Sequence, residues 1–297
     1  MKQIVSTFVK PKFSEVDAFK LEATYFKSAC FSKSTTLFCL PGGGASKDYF
    51  DLAPNYSFAR TMCARGYDVV TMDHIGTVSN PLPSNHPFLR PEDAVDYIFR
   101  ALPKARNNSP LIGIGHSMGG MITTLLQAQH SPFNAIALFG SSAGGLEWGL
   151  SENEKKYIDN PEALYRDLEK ITLDKFKMPF PPSTGGPSGK SITFGGESPG
   201  ITKRLRDISC ELYAAGGMMS MTPGSFRNQV EAINVPIFFA FGDHDIGIPP
   251  NEAPKGYINA ASTELFILEN TGHNHFAFST IATLCENFDH WAFNLGA

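Results

Sequence analysis

One serine, Ser117, stands in a setting that favours nucleophilic chemistry. It is the centre of the pattern G-x-S-x-G at residues 115–119, GHSMG. An apolar run typical of a buried strand precedes this pattern, and a segment of helical period follows it. Glycines two residues on either side of a serine allow a sharp turn from strand to helix that exposes the hydroxyl at the sheet edge. The pattern predicts a nucleophile; the alternative is a glycine-rich turn with an idle serine.

At this turn the chain resembles the α/β-hydrolase fold family, in its serine esterase- and lipase-like branch. The resemblance runs from about Thr35 to the C-terminus, apart from one insertion. It implies that the nucleophile is followed along the chain by an acid and then by a histidine. A serine in this position weighs against the dehalogenase and epoxide hydrolase branches, which carry an aspartate there.

The acid is expected in the segment after a strand that ends at Phe241. This segment, GDHDIGIP at residues 242–249, looks like the family's acid turn, in which the carboxylate usually stands three residues after the glycine. That position is Asp245. Asp243 is the alternative acid, and its other possible role is to cap the turn through a local hydrogen bond.

The base is expected after the last strand. Residues 269–273, ENTGH, follow this strand as the family's histidine loop does, which makes His273 the predicted base. His275 is the alternative base; otherwise it is predicted to line the substrate pocket or to lie just behind the site. His116, beside Ser117, is predicted to pack next to the site and to contact substrate.

The oxyanion hole is predicted to use two backbone N–H groups. One belongs to Met118, directly after the nucleophile. The loop PGGGA at residues 41–45 resembles the family's H-G-x-x loop with proline in place of histidine, which assigns the second N–H to Gly43. Gly44 is next in line and is predicted to contact substrate. A phosphate cradle is the other reading of three glycines, but no nucleotide-binding spacing follows them.

The elements that must position these residues alternate between short apolar runs and longer helical segments. This order predicts the α/β class, with a mostly parallel central sheet and helices on both faces. The predicted strands are Thr35–Leu40, Tyr67–Met72, Leu111–Ile114, Ala135–Phe139, Ile237–Phe241 and Leu265–Leu268. The predicted helices are Phe50–Ala64, Glu92–Ala105, Met118–His130, Glu252–Ala261 and Ile281–Phe293.

The alternation stops between the fourth and fifth predicted strands. We therefore predict a hydrolase core at residues 1–145 and 233–297 and an inserted helical lid or cap at residues 146–232. Within the insertion, the Pro/Gly/Ser-rich residues 178–200 predict a mobile loop over the site. A second turn, DHIGTVS at residues 73–79, is similar to the family's D-x-x-G-x-G-x-S turn, so Asp73 and His74 are predicted to be structural.

Composition limits the classes of partner. The formal net charge of -4 gives no field that would attract a nucleic acid, and the five cysteines are scattered without metal-binding or disulfide spacing. No run of about 18 apolar residues predicts a membrane helix, so we expect a soluble cytoplasmic protein without a membrane partner. His273 and His275 lack further ligands at metal-binding spacing, and no metal or cofactor is expected.

These residues together predict acyl transfer to water through an acyl-enzyme on Ser117. The bond predicted to be cleaved is an ester, lactone or thioester of a small substrate. Soft and aromatic residues of the insertion would suit an apolar group, although they could equally pack the insertion itself; they are Met178, Phe180, Phe194, Met218, Met219 and Met221. The alternatives are a C–C bond hydrolase or acyltransferase with the same triad, a non-catalytic small-molecule receptor, and an idle scaffold.

Overall fold

Eight strands form one sheet in this computed structural model, which describes residues 1–13, 15–28, 33–102, 110–183 and 199–295. The strands are β1 Lys2–Val9, β2 Phe19–Phe26, β3 Thr36–Leu40, β4 Asp68–Met72, β5 Leu111–His116, β6 Ala135–Phe139, β7 Ile237–His244 and β8 Thr263–Gly272. Their order across the sheet is β1-β2-β4-β3-β5-β6-β7-β8. β1 and β2 pair antiparallel, as do β2 and β4, and all other pairs are parallel. The predicted mostly parallel α/β sheet is confirmed.

All six predicted strands are present, but β1 and β2 were missed. β1 lies at the edge of the sheet, and only its last residue, Val9, is buried. An exposed edge strand has no need for the continuous apolar run that marks a strand buried on both faces. By contrast, β5 and β6 are buried throughout, and their sequences are correspondingly apolar.

Nine α-helices accompany the sheet in the described ranges. They are α1 Phe58–Ala64, α2 Pro91–Ala101, α3 Met118–His130, α4 Glu152–Lys155, α5 Pro161–Phe176, α6 Pro199–Asp207, α7 Ala214–Met221, α8 Arg227–Glu231 and α9 Ile281–Asn294. Helices α2 and α3 cover one face of the sheet, and α1 and α9 cover the other. Alternate residues of β3 accordingly point into the two cores, Phe38 into the first and Leu37 into the second. None of these helices is long and apolar enough to cross a membrane.

Two predicted helices are shorter than expected. The segment predicted as Phe50–Ala64 contains a 3₁₀ turn, Lys47–Asp51, and then α1, which begins after Ser57. Pro54 lies between them and cannot donate a helical hydrogen bond, while the Ser57 hydroxyl caps α1 by accepting from the Arg60 N–H. The segment predicted as Glu252–Ala261 is a 3₁₀ turn over Pro250–Gly256, with Pro254 inside it.

The segment between β6 and β7 contains helices α4 to α8. Helix α7 packs against both α5 and α3. Met218 and Met219 are buried there, while Met178 is exposed. The division into a core and an inserted cap remains a prediction. Most of the predicted mobile loop, including Phe194, lies outside the described residues.

Candidate active site

Ser117 occupies a strained turn between the end of β5 and the start of α3. Its φ angle is 52°, in the left-handed region that side chains rarely adopt. The turn is tight enough that a Cβ built on Gly115 would lie 2.3 Å from the carbonyl oxygen of Gly119, and one built on Gly119 would lie 2.3 Å from that of Leu40. Only glycine fits at these two positions, so the G-x-S-x-G pattern accounts for the sharp turn at Ser117.

The turn after β7 places Asp245 against the predicted base. The Nδ1 of His273 lies 2.6 Å from Oδ1 of Asp245, which also accepts the backbone N–H of Ile246 at 2.7 Å. The Asp245 side chain is only 2% exposed. Burial acts to raise the pKa of Asp245, but the neighbouring His273 and His275 outweigh it and hold that pKa well below its usual range. The Asp245 carboxylate is therefore ionised where it contacts the imidazole of His273.

Asp243, the alternative acid, has a different position. Its carboxylate oxygens accept the backbone N–H groups of Asn270 and Thr271 at 2.9 and 3.0 Å. It therefore ties the end of β8 to β7, which is a longer-range connection than the local cap that the sequence suggested. The regular register between β7 and β8 is interrupted between Gly242 and His244, and the two aspartates consequently have different partners.

Ser117 and His273 line one pocket of about 340 Å³. Its wall combines aliphatic side chains with glycines and with hydroxyl, amide and imidazole groups, and no Asp, Glu, Lys or Arg of the described ranges belongs to it. The aliphatic part consists of Leu146, Leu205, Ile208, Leu212, Met221 and Ile246. The polar part away from the serine consists of Ser183, Ser209, Ser220 and Asn274.

The residues predicted for the oxyanion hole lie beside the serine in this pocket. Met118 is the first residue of α3, so its N–H has no partner within the helix. Gly43 is close to it, because a Cβ built on Gly43 would lie 3.5 Å from Sδ of Met118. Gly44 has a φ of 75° and also lines the pocket. The glycine loop and the N-terminus of α3 thus lie next to each other in the pocket wall.

The glycine loop is anchored by Asp73 and His74 at the end of β4. Nε2–H of His74 donates to the carbonyl oxygen of Pro41 at 2.8 Å. The Asp73 carboxylate, which is fully buried, accepts both the backbone N–H and the ammonium of Lys47 at 2.6 Å. Ser79 donates to the same carboxylate. Both residues therefore hold the loop after β3 as well as their own turn.

His116 and His275, both predicted to contact substrate, take up different places. His116 lines the pocket, and its Nε2–H donates to the carbonyl oxygen of His273 at 2.8 Å. His275 is fully buried and is absent from the described pocket wall. Its Nε2 lies 2.9 Å from Oδ2 of Asp245. The structure thus places His275 behind Asp245, away from the pocket. The only sign of this position in the sequence is that His275 stands two residues after the predicted base.

The sequence profile of the Alpha/beta hydrolase family matches residues 37–280 of this chain. The chain belongs to the α/β-hydrolase family. A comparison of this α/β hydrolase with curated protein sequences finds no match.

Solved structures share the fold over nearly the whole of this α/β hydrolase. A thermophilic esterase from Thermogutta terrifontis is 11% identical, with a TM-score of 0.65 over 99% of this chain and 100% of its own. An esterase from Exiguobacterium antarcticum is 17% identical, with a TM-score of 0.64 over 98% of each chain. The peroxisomal α/β-hydrolase Lpx1 from Saccharomyces cerevisiae is 15% identical, with a TM-score of 0.63 over 100% of this chain and 89% of its own.

We expect two buried histidines to make the free energy of unfolding of this α/β hydrolase depend on pH. Burial lowers the pKa of His74, and burial together with His273 and His275 lowers that of His116 well below its ordinary value. The unfolded chain takes up protons at both as pH falls through about 6.5, while the folded state keeps them neutral. Above that pH the two histidines do not lower the free energy of unfolding. Below it, each histidine lowers the free energy of unfolding by about 1.4 kcal/mol per pH unit, until the pH reaches its pKa in the folded state.

Urea unfolding at pH 7.5, 6.5 and 5.5 measures this dependence. We expect the free energy of unfolding to fall between the last two values, and His74→Gln to reduce that fall, because its amide can donate to Pro41 but does not titrate. A free energy that stays constant down to pH 5.5 would contradict the assignment.

Proposed function

We propose that this α/β hydrolase cleaves carboxylic ester-type bonds of small, neutral, apolar substrates through an acyl-enzyme on Ser117. The observation that carries the proposal is the shared pocket: a serine in a strained turn and a histidine held by a buried carboxylate line the same wall. An ionised carboxylate can only accept, so Nδ1 of His273 is the protonated nitrogen. Nε2 is then free to act as the base.

In the first step, Nε2 of His273 takes the proton of the Ser117 hydroxyl as its oxygen attacks the substrate carbonyl carbon. Asp245 stabilises the imidazolium that forms. The same proton then passes to the leaving alcohol, which departs and leaves an acyl group on Ser117. A water molecule, deprotonated by His273, attacks this acyl group, and the carboxylic acid is released with the serine restored.

Negative charge develops on the carbonyl oxygen during both attacks. The N–H groups of Met118 and Gly43 are the proposed donors to it, because α3 begins at Met118 and the glycine loop lies against that residue. A helix N-terminus adds a favourable dipole. The buried anchor formed by Asp73 and Lys47 keeps the loop in place before substrate arrives, which is what preorganised stabilisation requires.

The pocket wall supports a neutral apolar substrate. Its six aliphatic side chains offer favourable contact to a hydrocarbon chain, and no carboxylate, ammonium or guanidinium of the described residues is present to pair with a substrate charge. The volume of about 340 Å³ is at the small end of ligand pockets. Two of the solved neighbours carry the description esterase, which agrees with this substrate class.

The test combines covalent labelling with a substrate panel. Intact-mass spectrometry after treatment with a fluorophosphonate should show one adduct, absent in Ser117→Ala. Hydrolysis of 4-nitrophenyl acetate, butyrate and octanoate should exceed that of an anionic counterpart, 4-nitrophenyl hemisuccinate, by at least about tenfold in kcat/KM, since burying an unpaired carboxylate is unfavourable. Folded protein with no adduct, or a preference for the anionic ester, would contradict the proposal.

A further inference from the structure

We propose that His275 is a positioning residue for the reaction: its Nε2–H donates to Oδ2 of Asp245, so that the acid is shared between two histidines. This inference rests on the proposed function. The two contacts are 2.6 Å, from Nδ1 of His273 to Oδ1, and 2.9 Å, from Nε2 of His275 to Oδ2. Each oxygen of one buried carboxylate therefore faces its own imidazole.

The protonation of His275 follows from its two neighbours at Nε2. One is the Asp245 oxygen, and the other is the backbone N–H of Gly242 at 3.2 Å. An unprotonated Nε2 would accept from Gly242 but would direct its lone pair at an ionised oxygen. A protonated Nε2 donates to that oxygen in a charge-assisted bond, the stronger kind. Since Asp245 stays ionised beside His273, we assign the proton to Nε2. The Gly242 N–H then gives up this acceptor, but its contact is the longer one, 3.2 Å against 2.9 Å, and it involves no charged group.

Nδ1 of His275 agrees with this assignment. Among the described residues no hydrogen-bond partner reaches it, although it is buried. A buried N–H without an acceptor is costly. A neutral ring with its proton on Nε2 satisfies the carboxylate and leaves only a lone pair on Nδ1.

His275 acts on the reaction only through Asp245. Its side chain is fully buried and is not part of the described pocket wall, so it does not touch substrate. Its backbone N–H donates to the carbonyl oxygen of His273 at 3.0 Å, and the same oxygen accepts from Nε2 of His116. The histidine loop is thus held at its backbone, while the acid beneath it is held by the His275 ring.

The hydrogen bond has two consequences for the base. It restrains the rotation of the Asp245 carboxylate, and it offsets part of the negative charge that Asp245 presents to His273. The other titratable groups around His273 are His116, with ring centres 4.8 Å apart, and Tyr49, whose ring lies 4.6 Å from that of His116. Both are uncharged in the folded protein, because burial lowers the pKa of His116 and raises that of Tyr49. Asp245 and His275 therefore set the charge felt by the base.

Two substitutions of equal length separate this role from packing. His275→Gln keeps an N–H donor near the position of Nε2, whereas His275→Met fills similar space without one. We expect His275→Met to lower kcat for 4-nitrophenyl butyrate about tenfold with KM unchanged, and His275→Gln to recover most of the loss. The acidic limb of the pH–rate profile should move to higher pH in His275→Met only, since a less compensated Asp245 favours the protonated His273.

Equal effects of the two substitutions, or an unshifted profile in His275→Met, would overturn the inference. The rate of fluorophosphonate labelling distinguishes a failure of this inference from a failure of the proposed function. A wild-type protein that is not labelled would contradict the proposed function itself. If His275→Met does not fold, ¹⁵N-histidine NMR of the wild-type protein decides. The signals of His275 are those that disappear in His275→Gln. They should show Nε2 protonated and Nδ1 unprotonated. The reverse tautomer would overturn the proposal.

Discussion

We expect replacement of Ser117 by alanine to lower kcat for ester hydrolysis by about 10⁴- to 10⁶-fold, the largest change from any one substitution. The reason is that the attacking oxygen is removed while the donors and the pocket remain. We expect any residual rate to come from the proposed oxyanion donors acting on water. The measurement is steady-state hydrolysis of 4-nitrophenyl butyrate at pH 7.5, with CD spectra to establish that the variant is folded.

Ser220→Ala is the matched control for this experiment. Ser220 lines the same pocket, but its hydroxyl donates to the carbonyl oxygen of Gly217 within α7. We expect kcat to stay within about threefold of wild type, since one part-buried hydrogen bond between neutral groups contributes little. If Ser117→Ala kept a tenth of the activity, the nucleophile would have to be another group.

Asp245→Ala is expected to lower kcat by about 10⁴-fold, close to the effect of losing the acid in other serine triads. His273 loses the acceptor that holds its Nδ1–H, and the imidazolium formed in the transition state loses its counter-charge. The effect should appear in kcat rather than KM, because the side chain lies behind the histidine and does not line the pocket.

Asp243→Ala provides the contrasting case two residues away. We expect nearly full kcat, within about threefold, together with a loss of about 1–2 kcal/mol in the free energy of unfolding, because two backbone N–H groups at the end of β8 lose their acceptor. Urea unfolding and 4-nitrophenyl butyrate hydrolysis measure the two quantities. An inactive Asp243→Ala beside an active Asp245→Ala would reverse the assignment of the acid.

The sequence by itself determined the sheet class, the six strands β3 to β8 and the turn at Ser117. These features depend on local or nearly local properties. Strands buried on both faces need continuous apolar runs, and the sharp turn needs glycine at positions 115 and 119, where a Cβ would collide with backbone atoms. β1 was missed for the complementary reason, since an exposed edge strand places little demand on its residues. β2 lies inside the sheet, but Lys20 and Glu22 interrupt its apolar run.

Tertiary structure alone gave the neighbouring candidates different partners. Asp243 and Asp245 are two residues apart, as are His273 and His275, and in regular strands such residues point to the same side. The break in register between Gly242 and His244 gives the two aspartates different partners. The 3₁₀ turn that begins at His275 carries this ring beneath Asp245 rather than into the pocket. Both outcomes depend on where β7 and β8 meet, a contact between distant segments that residue spacing does not encode.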